Sequence, residues 1–298
     1  MEFGVIVPQG WTGEYDGRDP RDAWERTLAV AHQAESLGFE SLWVFDHFQT
    51  VPEPIDEITF ESFSTLAALA AVTHRVLLGH VVLCAGFRNP ALTAKIIGTL
   101  DVISGGRMIL GIGAGWKEDE WRAYGYDFPP TRTRLQMLGD QLEVITRMLG
   151  PGRATFHGGH ASVDGAINVP RGLQEPRVPI MVGGNGPNVT WRIAARHADE
   201  LNLDWLTPDQ VAEALPVIAS RCEEIGRDPA SLRISVNIDR SVIKHGSRQR
   251  IDLLSAYRDV GLQRVMALVQ ASATSDDALA TLADDARAAG VSLRSAAP

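Results

Sequence analysis

Residues 76–116 read VLLGHVVLCAGFRNPALTAKIIGTLDVISGGRMILGIGAGW, and this stretch decides the fold. It opens on an apolar run of strand length and turns at Arg88-Asn89-Pro90, where Asn can cap a helix and Pro can occupy its first turn. Leu92, Ile96, Thr99, Leu100 and Ile103 then recur at helical spacing until Ser104-Gly105-Gly106 ends the pattern. A second apolar strand follows from Arg107 to Ile112. Strand, helix and strand in this compass make a parallel βαβ unit, and both strands are apolar on both faces, as a sheet covered by helices requires.

Outward from this stretch the same unit repeats. Phe3 to Pro8 reads as the first strand. Asp19-Pro20 starts a helix with Trp24, Leu28, Ala31 and Leu37 at core spacing, and Gly38 stops it. Ser41 to Phe45 is the second strand, and it runs into Asp46-His47-Phe48, a polar loop and an Ala/Leu-rich helix over 62–72. Lys117 to Pro130 reads as a loop or short helix, and the fourth long helix spans about 133–149. The period then breaks: Phe156-His157-Gly158-Gly159-His160 resembles a hairpin turn, and the segment 151–179 reads as an insertion between helix 4 and strand 5. Ile180–Val182, Glu200–Leu203, Leu232–Ile238 and Arg264–Val269 are strands five to eight, with helices starting near Pro187, Pro208, Ser247 and Asp276. Pro216 is expected to kink or divide the helix after Pro208. Eight βα repeats with no linker between them predict one α/β domain over residues 1–298, a (β/α)8 TIM barrel whose active site lies at the C-terminal ends of its strands. A doubly wound sheet is the alternative.

Composition agrees with an ordinary globular chain. Of 298 residues, 45% are hydrophobic and 22% charged, enough apolar content for a large core. The net charge of −9, with no basic cluster to offset it, argues against a nucleic-acid surface. Two cysteines do not make a disulfide scaffold, and Cys84 falls in a strand-like run. The start lacks the basic then apolar pattern of a signal peptide, and no apolar run reaches membrane-spanning length, so a soluble cytoplasmic protein is expected.

The strand ends concentrate the candidate chemistry. They carry Gln9-Gly10-Trp11, Asp46-His47-Phe48, Gly113-Ala114-Gly115-Trp116, Gly183-Gly184-Asn185-Gly186-Pro187 and Asp204-Trp205. Glycines allow close backbone approach and helix N-termini offer unpaired N–H groups, so aromatic and glycine-rich ends together suit a flat aromatic ligand with an anionic tail. Gly111-x-Gly113-x-Gly115 is not a dinucleotide fingerprint, because Trp116 stands where the last glycine is needed. The Gly183–Pro187 junction reads as an anion site or as a tight βα turn. His80, inside an apolar strand, reads as a core histidine or as a ligand contact. Trp11, Trp116 and Trp205 form an aromatic wall for a planar substrate or pack in the core. His157 and His160 flank a turn, and no metal-ligand spacing such as HExxH is present.

Several of these motifs carry a family resemblance. FRNPALTAK, then TLDVISGGR and LGIGAGW, resemble the bacterial luciferase-like monooxygenase superfamily. Asp46-His47-Phe48, Glu118-x-Glu120-Trp121 with Tyr124-Gly125, and Val182-Gly183-Gly184 are similar to its branch that uses the deazaflavin coenzyme F420. The match covers the chain to about Asp204. The resemblance implies that Asp46 lies at the deazaflavin ring and that His47 acts in proton transfer, with Glu120 the second acid/base candidate. It implies a non-proline cis peptide in the third strand backing the ring, counted back from Arg88-Asn89-Pro90 to His80-Val81. It also implies main-chain contacts from Gly183, Gly184 and Asn185, with Val182, Gly113 and Trp116 at the cofactor. Glucose-6-phosphate dehydrogenases of this branch carry Glu directly after the Gly-x-Gly turn; Trp116 stands there, which argues against a sugar-phosphate substrate. The expected activity is hydride transfer between C5 of F420 and an activated C=C, C=N or carbonyl bond of a small molecule, in an enzyme whose relatives are often homodimers. A two-component monooxygenase using FMN is the alternative, and a cofactor-carrying protein without turnover is a third.

Overall fold

In the computed structural model of the protein, which describes residues 1–238, 243 and 246–294, eight parallel strand positions close into a barrel. They are β1 (Glu2–Ile6), β2 (Ser41–Val44), β3 with β4 (Leu77–His80 and Leu83–Cys84), β5 (Met108–Gly113), β8 (Ile180–Gly183), β9 (Glu200–Asp204), β10 (Arg233–Ile238) and β11 (Arg264–Leu268). Each pairs in parallel with its neighbours, and β1 pairs with β11 from Glu2↔Arg264 to Ile6↔Leu268, so the sheet has no open edge. β6 (Ala154–His157) and β7 (Ser162–Ala166) form a separate antiparallel hairpin in the segment where the period breaks.

Local sequence explains the helix boundaries. Asp19 accepts a hydrogen bond from Arg21 N–H and caps α1 (Pro20–Leu37), and Gly38 closes it at φ 93°. Asn89 accepts from Ala91 and Leu92 N–H and caps α3 (Pro90–Ser104), and Gly105 closes it at φ 72°. The remaining long helices toward the site are α2 (Ser62–Val72), the short α4 (Glu118–Ala123) and α5 (Thr131–Leu149). α6 (Thr190–His197) starts three residues later than the sequence predicts, because Trp191 N–H reaches back to Gly186 carbonyl and Pro187 lies in the turn before it. Pro216 does not divide α7 (Pro208–Glu223): it lies on the exposed face, where water can take the carbonyl that its missing N–H leaves. No helix among the described residues is long and apolar enough to cross a membrane.

Two cores result. The larger lies between strands and helices; the smaller fills the barrel and comprises Ile6, Trp43, Val81, Ile109, Met181, Met266 and Leu268. Trp43 fits because its neighbours are glycines: a Cβ at Gly4 or at Gly79 would lie 2.5 Å from the indole. Below it Arg264 plugs the N-terminal end of the barrel, ion-paired to Glu40 at 2.8 Å and to Glu200, with its guanidinium 5.3 Å from the Trp43 ring centre. Burial pushes the Glu40 carboxyl up, but Arg264 outweighs it and holds the group below its ordinary value.

The non-proline cis peptide is Val81–Val82, one residue beyond the expected His80–Val81. β3 keeps its ladder with β2 through Val44↔His80, and Val81 N–H still donates to Val44 carbonyl at 2.8 Å, so the strand breaks only after Val81 has used its donor. Removing the plug's cation leaves buried Glu40 without its ion-pair partner and Glu200 with only Arg233, 3.6 Å away. Arg264→Met is therefore expected to lower unfolding free energy by about 3–5 kcal/mol in urea titrations at pH 7.

Candidate active site

A cavity of about 660 Å³ opens at the C-terminal ends of the strands, in the range of small-molecule sites. Its wall brings together His47 and Glu120, the turn from Gly113 to Trp116, Gly183 and Gly184, and all three predicted tryptophans. His47, directly after β2, places Nδ1 2.8 Å from Glu120 Oε2 on α4. A carboxylate only accepts, so Nδ1 carries the proton and Nε2 is the nitrogen left to exchange one with a ligand. Glu120 is buried and fixed in turn: its Oε1 accepts from Phe48 N–H at 2.7 Å and from Gln49 N–H at 3.3 Å. Trp11 stacks on the imidazole, ring centres 4.2 Å apart and planes 3° from parallel, and Trp116 meets it edge-on at 5.9 Å.

Asp46 shapes this corner from behind. Its carboxylate accepts from Arg88 Nη1 at 2.7 Å and Nη2 at 2.9 Å, from Ser62 Oγ at 2.8 Å and from Cys84 N–H at 2.8 Å. Burial drives its pKa up, yet the paired guanidinium and the backbone donor prevail and hold it below the ordinary aspartate value. Its side chain is thus occupied by protein, and it joins the end of β2, the start of α2 and β4.

The glycine turns serve packing as well as access. Val82 wedges between two strands, and a Cβ at Gly113 or at Gly183 would approach it to 2.8 Å. Gly184 has φ 131°, a backbone that side chains rarely adopt. Asn185 sits outside the cavity wall: its amide donates to Asp204 carbonyl at 2.7 Å and accepts from Asp204 N–H at 2.9 Å, stapling the β8 loop to β9. Trp205, just beyond, holds φ 56°, the one positive φ outside glycine among the described residues, and is 53% exposed; Trp116 is 63% exposed. Val182 packs in the outer core and not at the cavity.

His80 also lies outside the wall. Its side chain faces the helix layer, edge-on to Phe63 at 4.7 Å, fully buried with neither ring nitrogen hydrogen-bonded. Burial lowers its pKa to about 4, against the opposing pull of Asp46. Sequence reasoning passed over Arg88, Lys117, Arg134 and Asn237. For Arg88 the signal was present, since a buried Asp needs a cation and the FRNP turn supplies one. For Arg134 the signal was a charged residue on the stripe of Leu138, Gln141, Leu142 and Ile145 that α5 buries.

The fold and this corner make a (β/α)8 barrel with a hydrogen-bonded His–Glu pair on the wall of a cavity of small-molecule size. The chain belongs to the luciferase-like monooxygenase family, whose model it matches over residues 1–289. It is 32% identical over 256 residues to an F420-dependent glucose-6-phosphate dehydrogenase of Intrasporangium calvum, covering 82% of this chain and 74% of the relative. It is 30% identical over 260 residues to a 5,10-methylenetetrahydromethanopterin reductase of Methanolobus tindarius, covering 84% of this chain and 70% of the relative. The fold is that of an F420-dependent secondary alcohol dehydrogenase solved with an F420–acetone adduct, at a TM-score of 0.80 and 18% identity over 97% of this chain and 98% of that one.

His80 generates a pH prediction. Its folded pKa lies below the ordinary histidine value of 6.5, so the unfolded chain takes up the proton first; stability is full above about 6.5 and falls as pH drops toward about 4. His80→Leu is expected to remove that slope in urea titrations between pH 7 and 4.5, with little loss at pH 7, because two unbonded polar atoms are replaced by apolar ones.

Proposed function

We propose that this chain is an F420-dependent oxidoreductase that transfers a hydride between C5 of the deazaflavin and a small organic substrate, reducing an activated C=C, C=N or carbonyl bond. The observation that carries the reading is the Trp11–His47–Glu120 arrangement, a tautomer-fixed imidazole at the cavity wall. The wall also suits a heteroaromatic ring. Trp11 Nε1 and Asn237 Oδ1 are buried without partners there, a donor and an acceptor that such a ligand could match, and Val81 and Val82 offer an apolar backing.

The bound deazaflavin supplies a carbon that gives or takes a hydride. The chain's own part is positioning and the proton. Main chain at Gly183 and Gly184, on the cavity wall, would border the polar edge of the ring or its tail, and Trp116 and Trp205 would flank an apolar or planar substrate. A carbonyl or imine that accepts a hydride needs a proton on its heteroatom: His47, first protonated from solvent to an imidazolium that Glu120 stabilises, gives up the proton on Nε2 and returns to the neutral ring with Nδ1–H still on Glu120. Asp46 keeps this corner in register through Arg88. The relatives' differing substrates, a sugar phosphate and a methylene-pterin, leave the substrate to be found by assay.

His47→Ala is expected to slow turnover of reduced F420 with enones, imines and ketones by about 100-fold or more while the F420 Kd, read by fluorescence quenching, changes little. Glu120→Gln should fall between wild type and His47→Ala. Equal losses of affinity and turnover would contradict the proton role.

A further inference from the structure

The three cavity tryptophans differ in what covers them. Trp116 and Trp205 are more than half exposed, whereas Trp11 is only 9% exposed: the His47 ring covers one face of its indole, and Phe45 lies against it with ring centres 4.4 Å apart. The loop after β1 holds it in that place. The chain turns at Gly10, at φ 93°, where a Cβ would strike the Ile58 carbonyl. Trp11 carbonyl then accepts from Val51 N–H at 2.8 Å, the Gln270 amide donates to Thr12 Oγ1 at 2.9 Å, and Thr12 N–H donates to Glu14 Oε2 at 2.7 Å. Trp11 Nε1 is buried without a partner. Phenylalanine would fill the same face without an unmet donor, and such a donor costs stability, so packing alone does not account for an indole here.

The indole face lies where charge appears. His47 must become an imidazolium before it gives up the proton on Nε2, and its side chain is only 12% exposed, so water solvates that charge poorly. Glu120 meets it at Nδ1 alone, a single hydrogen bond that leaves the ring free to rock about that contact. The indole, stacked 3° from parallel at 4.2 Å, blocks this motion on one side. Its π-face also attracts a cation more strongly than that of any other aromatic side chain. We propose that Trp11 is a positioning residue for the proton transfer, acting through His47 and not on the substrate: it steadies the imidazole and stabilises its charged form. The other charged groups about this corner are Glu120, the Lys117–Asp119 pair at the start of α4, the Asp46–Arg88 pair behind the end of β2, and Glu14 beyond Thr12. All of them stay in place when Trp11 is replaced. The transfer role rests on the F420 reading; the effect of the stack on the imidazolium does not.

An NMR titration of the cofactor-free full-length protein tests the stack directly. The imidazole Hε1 signal of His47, assigned by its loss in His47→Ala, is followed from about pH 5 to about pH 9. Losing a group that favours the charged form lets the proton leave at lower pH, so the protonation midpoint in Trp11→Leu is expected about 0.5–1 pH below that of wild type. Trp11→Phe should fall between them, because a phenyl face attracts a cation less than an indole does. Trp11→Phe also carries the test should Trp11→Leu fail to fold, and a wild-type midpoint in either folded variant overturns the proposal. In turnover with reduced F420, kcat on the alkaline side of the midpoint is expected to drop about three- to tenfold in Trp11→Leu and to recover in part in Trp11→Phe, with substrate KM little changed. A raised KM with kcat and its pH profile unchanged would place Trp11 against the substrate and overturn the proposal as well. If wild type binds no F420, the transfer role falls with that reading, while the NMR midpoints still decide whether Trp11 stabilises the imidazolium.

Discussion

The buried Asp46 carboxylate is the interaction on which the site depends. It accepts four hydrogen bonds, from both terminal nitrogens of Arg88, from Ser62 and from the backbone of Cys84. These donors come from the start of α2, from β4 and from the turn before α3, so one side chain ties three segments to the end of β2. His47 is the next residue. Its orientation toward Glu120 and Trp11 is therefore set from behind by a fully paired carboxylate and from the front by a fixed acceptor.

The barrel separates stability from chemistry along its axis. At the N-terminal end Arg264 joins Glu40 and Glu200 under Trp43, a buried ion cluster with no access to the cavity wall. At the C-terminal end the strands stop short and leave the cavity, with His47, Glu120 and the tryptophans around it. That division is the general property of this fold, in which βα loops vary the site while the strands hold the frame. Cys84, on the cavity wall, is no thiolate: burial pushes its thiol up to about 12, which keeps it protonated at neutral pH.

Most of the fold was legible because its punctuation is local. Asn89-Pro90, Gly38 and Gly105 mark helix ends by conformations that one or two residues determine, and α2 spans the 62–72 expected from its composition. What sequence could not supply depends on partners distant in the chain. The strand break falls at Val81–Val82 because a donor on Val81 is taken by Val44, and Asn185 turns from the cavity because Asp204 takes its amide. Likewise nothing near His80 in sequence says that its face of the strand looks to α2, whereas the Asp46-His47 pair could be read as functional from its strand-end position alone. Arg134 stands out in sequence as a charge on a mostly apolar stripe, but only the closed barrel turns the first turn of α5 toward a cavity.

A cavity of this kind is expected to hold a deazaflavin used as a hydride carrier. Titrating the protein in parallel with F420 and with FMN, by quenching of cofactor fluorescence at fixed salt and pH, tests it most directly. Saturable F420 binding at least tenfold tighter than FMN is expected, with reduction of a double bond on adding substrate (tenfold being about 1.4 kcal/mol). Tight FMN binding with F420 weak or absent would contradict it and move the chemistry to oxygen insertion.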